Sequence, residues 1–75
     1  MAKLEFPLTL HARINLTGDT IPTECASETE LVHELERVAD ATSTDARDFA
    51  RQILGGAEVN VSSRGRDITL YATRD

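Results

Sequence analysis

Seven even-numbered positions near the start of the chain are apolar: Leu4, Phe6, Leu8, Leu10, Ala12, Ile14 and Leu16. The odd positions between them are Glu5, Pro7, Thr9, His11, Arg13 and Asn15. Successive side chains of a strand point to opposite faces, so this pattern predicts a strand with one apolar face and one wet face. Ordinary strands run about 5–6 residues, whereas Leu4–Leu16 spans more than twice that. Part of the segment is expected to overhang, to bend, or to pair with something outside the chain. Pro7 cannot donate to a ladder, which places that end at a sheet edge or beyond the sheet. Leu4, Phe6 and Leu8 are therefore candidate strand-edge contacts for a second copy or a partner.

The rest of the chain supplies partners for this strand. Thr17-Gly18-Asp19-Thr20 reads as a turn and Ile21–Ala26 as a connector, with Pro22 biasing Ile21 towards extended backbone. Ser27-Glu28-Thr29-Glu30 fits a capping box. Leu31, Val32, Leu35, Val38 and Ala39 follow at helical spacing and predict a first helix over 28–41. A second stripe, Ala46, Phe49, Ala50, Ile53 and Leu54, ends at Gly55-Gly56, a C-cap signal. Thr42–Thr44 separates the stripes, either as a tight corner between two short helices or as a kink in one long helix.

The last segment predicts a hairpin. A two-residue Arg64-Gly65 loop sets Val61 opposite Ile68, Val59 opposite Leu70 and Ala57 opposite Ala72, all on one face. The outer face then pairs Glu58 with Tyr71 and Asn60 with Thr69. The expected architecture is a single α+β domain over residues 1–75. It is a two-layer sandwich in which a three-stranded, largely antiparallel sheet, in the order β-α-α-β-β, carries both helices on one face. The pattern is compatible with the first strand flanking either member of the hairpin.

At 75 residues with 40% hydrophobic content and no Trp, the core must be aliphatic. Cys25 is the single cysteine, which rules out an intrachain disulfide and favours a reducing compartment. With no signal-peptide pattern and no membrane-length apolar run, a cytoplasmic protein without membrane association is expected. The formal net charge of −5 is concentrated between Asp19 and Asp48, where nine acids face two bases. Such a segment repels nucleic acid and favours a cationic protein surface.

Catalysis is not expected. Cys25, His11 and His33 lack the paired short spacing of zinc ligands. Glu24, Glu28 and Glu30 around Cys25 disfavour a thiolate. Gly55-Gly56 leads from helix to strand, the reverse of a phosphate-binding loop. Carboxylates such as Glu30 and Glu34 sit on a helix surface without a pocket. No cofactor and no metal are expected. The Arg64-Gly65-Arg66 tip lacks the broad basic patch with stacking aromatics that a nucleic-acid reader uses.

The stretch Ser27–Asp40, the stretch Asp45–Leu54 running through Gly55-Gly56 into Ala57–Val61, and the acidic excess together resemble in organisation the small, acidic α+β proteins that phages use against host defence, such as anti-CRISPR proteins. The resemblance implies a stoichiometric inhibitor acting in the host-cell cytoplasm on a nucleic-acid-handling protein complex. On the charge pattern, the expected contacts to a cationic partner site are Glu28, Glu30, Glu34, Glu36, Asp40 and Asp48. The alternative is a homo-oligomeric structural or regulatory subunit, in the simplest case a homodimer, joined through exposed strand edges.

Overall fold

A computed structural model describes residues 5–74. It is an α+β sandwich with the element order β1 (Leu8–Ile14), β2 (Thr20–Cys25), α1 (Glu28–Ala39), α2 (Ser43–Leu54), β3 (Val59–Ser63) and β4 (Arg66–Arg74). The sheet has four strands rather than three. All neighbours are antiparallel and the spatial order is β2-β1-β4-β3.

The additional strand is β2, which occupies most of the expected connector. Thr20, Ile21, Thr23 and Cys25 include good strand formers, but as an edge strand β2 fully buries only Cys25. Pro22 is tolerated because an edge strand does not need every N–H for its ladder. The pairing of Leu8 with Cys25 through Arg13 with Thr20 holds β2 against one side of β1. On the other side β1 pairs with β4, from Leu8 opposite Arg74 to Ile14 opposite Ile68. The first strand thus flanks the second member of the hairpin and is interior to the sheet.

Its length is also corrected, to seven residues. Phe6-Pro7 precedes the ladder, consistent with the missing proline donor. At the other end the backbone turns at Asn15. The Gly18 N–H donates to the Ile14 carbonyl at 2.7 Å, and the Ile14 N–H to the Asp19 carbonyl at 2.7 Å. Gly18 adopts φ +80°, which a side chain would strain. Leu16 consequently sits in the loop at 92% exposure, despite sharing the alternation of the buried Leu8 and Leu10.

The strand-edge expectation for Leu8 is overturned by the same pairing. Leu8 is completely buried in an interior strand with a neighbour on each side. Phe6 is half-buried and packs against the core. Leu4 lies outside the described residues.

The hairpin register is as expected for Val59–Leu70, Asn60–Thr69 and Val61–Ile68. Arg64 and Gly65 both take positive φ, 54° and 76°, as a type I′ loop requires. The ladder starts at Val59, so the expected pairs Ala57–Ala72 and Glu58–Tyr71 lie outside it, and Tyr71 is instead opposite His11.

Two separate helices cover the inner face. Ser27 caps α1, its hydroxyl accepting from the Glu30 N–H at 3.3 Å. The Glu30 carboxylate reaches back to the Ala26 N–H at 3.4 Å, one residue beyond the usual capping-box partner. α1 ends at Ala39, two residues earlier than expected, because Asp40 takes the left-handed conformation at φ 52°. Asp tolerates that region better than most side chains, so the corner needs neither Gly nor Pro. Thr42 then caps α2 through the Asp45 N–H. At the far end Gly56, at φ +93°, lets the Ala57 N–H reach the Gln52 carbonyl at 2.9 Å.

Leu31, Leu35 and Ala39 of α1, and Ala46, Ala50 and Ile53 of α2, meet Leu8, Leu10, Val59, Ile68 and Leu70 in one aliphatic core. The alanines keep the two helices close to one another and to the sheet. Among the described residues no helix is long and apolar enough to cross a membrane.

Candidate functional site

The helical layer presents seven carboxylates, from Glu28 to Asp48, against the three guanidinium groups of Arg37, Arg47 and Arg51. Among the described residues the one ion pair joins Glu34 to Arg37, a pairing that the i, i+3 spacing anticipates. Asp48 and Arg51 have the same i, i+3 spacing but form no ion pair. Asp48 instead accepts from the Gln52 amide at 3.2 Å.

The six expected contact residues do not form one continuous face. Glu28 and Glu30 are exposed in the first turn of α1, where carboxylates suit the positive end of the helix dipole. At about 100° per residue, Glu28 and Glu36 flank the groove towards α2, and Glu30 and Glu34 lie on the other side. His33 and Arg37 run along the outer line between them. Glu36 is half-buried and accepts from the Ser43 hydroxyl at 3.1 Å, tying α1 to the start of α2. Arg47 lies in the same groove as Glu28 and Glu36 without bonding either. Asp40 is exposed at the corner and Asp48 on α2. The surface is therefore two acidic flanks and an acidic corner around a ridge of His33 and Arg37. Glu28, Glu30, Asp40 and Asp48 are the exposed members, and Glu34 and Glu36 are partly engaged.

The chemistry-bearing residues considered from the sequence lie on different faces of the fold. His33 is exposed on α1, and Cys25 is buried on the inner face of β2. His11 is on the opposite, outer sheet face, where its ring stacks on Tyr71 at 4.8 Å between centroids and 12° between planes. The Arg13 guanidinium carbon is 5.8 Å from the Tyr71 ring centre, and His11 Nε2 is 2.7 Å from Thr73 Oγ1. Thr69 donates its single hydroxyl proton to Asn60 Oδ1 at 2.7 Å. Among the described residues no group of three His, Cys, Asp or Glu is placed to hold a metal ion.

Burial pushes the Cys25 thiol pKa above its ordinary value of 9.0, and the carboxylates of Glu34 and Glu30 add to the rise. The sequence pointed to acidic neighbours, but desolvation under α1 is the larger cause. A protonated, buried thiol should react with a thiol reagent at least about tenfold more slowly in the folded protein than in the unfolded chain. As pH rises through 9.0 the unfolded chain ionises first and holds fewer protons than the native state. Stability therefore falls with pH in that range. Urea titrations around that pH should show the fall in the natural protein and its absence in a Cys25→Val variant.

One feature of the inner face escaped the sequence reading. Beyond the end of α1 the sheet is uncovered and forms a cavity of about 330 Å³, with Arg37, Arg64 and Arg66 among its lining residues. The available signal was register. Arg66 is opposite Ser63 and heads the inner-face series Ile68, Leu70 and Ala72, so a charge stands where alternation calls for an apolar residue. Compared with protein-family models, curated proteins and solved structures, the chain matches none.

Proposed function

We propose that the chain is a non-catalytic binding protein whose acidic helical layer docks on a cationic site of a larger, nucleic-acid-handling protein complex and inhibits it by occupancy. The observation that carries this reading is the ion-pair pattern. Seven carboxylates share the helical layer with three arginines, and a single pair is satisfied among the described residues. Unpaired like charge on a helix disfavours folding, and a cationic partner relieves that repulsion on binding. Electrostatic complementarity of this kind speeds encounter and selects partners. A surface that binds nucleic acid supplies the required density of Lys and Arg.

The test is affinity capture from the organism that carries the protein, repeated from about 0.1 to 0.5 M salt. A specific partner retained at low salt and released as salt rises is the expected result. Retention indifferent to salt excludes a charge-led interface.

A homo-oligomer joined at strand edges is the second reading, favoured by the free edge of β2 with Ile21 54% exposed. Among the described residues the edge strands are β2 and β3, and Leu8 is interior to the sheet. Pro22 removes a donor from β2 and weakens that edge as a template. A monomer by light scattering at micromolar concentration removes this reading.

A further inference from the structure

The cavity beyond α1 differs in charge from the rest of this acidic protein. Arg37, Arg64 and Arg66 line it and no carboxylate does, although the whole chain carries −5. Arg37 is committed to Glu34, whereas Arg64 and Arg66 make no ion pair among the described residues. The floor is mainly aliphatic, from Leu10, Ala12 and Ile14 of β1, Ile21 of β2, Ile68 of β4 and Val38 of α1, with Thr23 and Ser63 as its uncharged polar members. All four strands and α1 contribute, because α1 stops at Ala39 while the strands run on.

We propose that this cavity binds a small amphiphilic carboxylate of the medium-chain fatty-acid type. Its hydrocarbon body rests on Leu10, Ile14, Ile21 and Ile68, and its head meets Arg64 and Arg66. About 330 Å³ lies at the lower end of the roughly 300–1,000 Å³ range of small-molecule sites. An aliphatic floor favours a saturated body, since hydrocarbon burial needs no directional partner. The lining contains no aromatic ring on which a base or other flat ligand would stack. Guanidinium groups match the planar, two-oxygen geometry of a carboxylate. Long arginine stems also extend apolar surface while the charge stays at the mouth. Of the charged groups of the helical layer the site includes only Arg37, and none of the expected docking acids lines it, so it stands or falls independently of the docking reading.

Decanoate is the probe, titrated into methyl-labelled full-length protein and followed by NMR at Leu10, Ile14, Ile21, Val38 and Ile68. Saturable shifts confined to these methyls are expected below about 1 mM. Decanol, with the same tail and no charge, should bind about tenfold more weakly, and decyltrimethylammonium more weakly still. In an Arg64→Asn, Arg66→Gln variant decanoate affinity should drop to that of decanol, with decanol binding and the amide spectrum unchanged. Asn at position 64 accepts the positive φ of the loop. Absence of a saturable shift overturns the proposal, as does equal binding of the neutral or cationic probe. So does the same methyl set shifting with protein concentration alone, which would assign the cavity to a second copy. If the variant does not fold, the comparison of the three probes on the natural protein decides.

Discussion

Replacing Leu70 with alanine is expected to remove about 2–5 kcal/mol of stability, enough to bring the protein close to unfolding at room temperature. Leu70 is completely buried in β4, opposite Ala12 on one side and Val59 on the other. Ala12 is too small to fill the space that a truncated neighbour leaves, and the helices above are held by their own contacts. The cavity therefore persists rather than collapsing. A 75-residue domain has roughly 4–11 kcal/mol in total, so the loss is a large share of it. In urea, with a slope of about 1 kcal/mol per molar, the midpoint should fall by at least about 2 M. Leu16→Ala is the control. Leu16 shares the apolar alternation of the first segment but is 92% exposed, so its truncation should cost less than about 0.5 kcal/mol. Equal losses at the two positions would contradict the burial on which the core rests.

That pair of leucines also shows where sequence reading stops. The first helix was legible because it combines a 3.6-residue stripe with the Ser27 cap, whereas the second stripe was legible only as helical, its separation at Thr42–Thr44 being fixed by the left-handed Asp40 and the Thr42 cap. The hairpin was legible because period-two alternation on both sides of Arg64-Gly65 agrees with only one register. Alternation alone overextended the first strand. Leu4–Leu16 keeps its period through Asn15, where the backbone turns under the control of Gly18 and Asp19 rather than of hydrophobicity. β2 was hidden for the opposite reason. An edge strand needs few buried side chains, and its Thr20–Cys25 composition, with Pro22 inside, resembles a loop. The acids of the proposed docking surface could be named individually. Their division into two flanks needed the helix axis and the Ser43 bond to Glu36. The arginine-lined cavity assembles residues from positions 10 to 68 and has no local signature beyond the out-of-place Arg66.

The combined substitutions Glu28→Gln, Glu30→Gln, Asp40→Asn and Asp48→Asn are expected to weaken partner binding by about 30-fold or more while leaving the fold at least as stable. These four are the exposed members of the expected contact set, and none is in an ion pair among the described residues. If each contributes about 0.5 kcal/mol to a cationic interface, the total is about 2 kcal/mol, and every 1.4 kcal/mol is tenfold in affinity. Most of the loss should appear in the association rate at low salt, because steering depends on summed charge. The opposite sign is expected for stability. Removing Asp40 relieves the like-charge spacing with Glu36, and removing Glu30 relieves that with Glu34. Gln at position 30 still offers an oxygen to the Ala26 N–H, but the charge of Glu28 and Glu30 at the positive end of the helix dipole is lost, which offsets part of that gain. A protein that melts no lower but no longer captures its partner separates an interface from a structural role, since activity and stability trade against each other at functional surfaces. Binding retained in the fourfold variant would remove the acidic layer as the docking surface, whatever the identity of the partner.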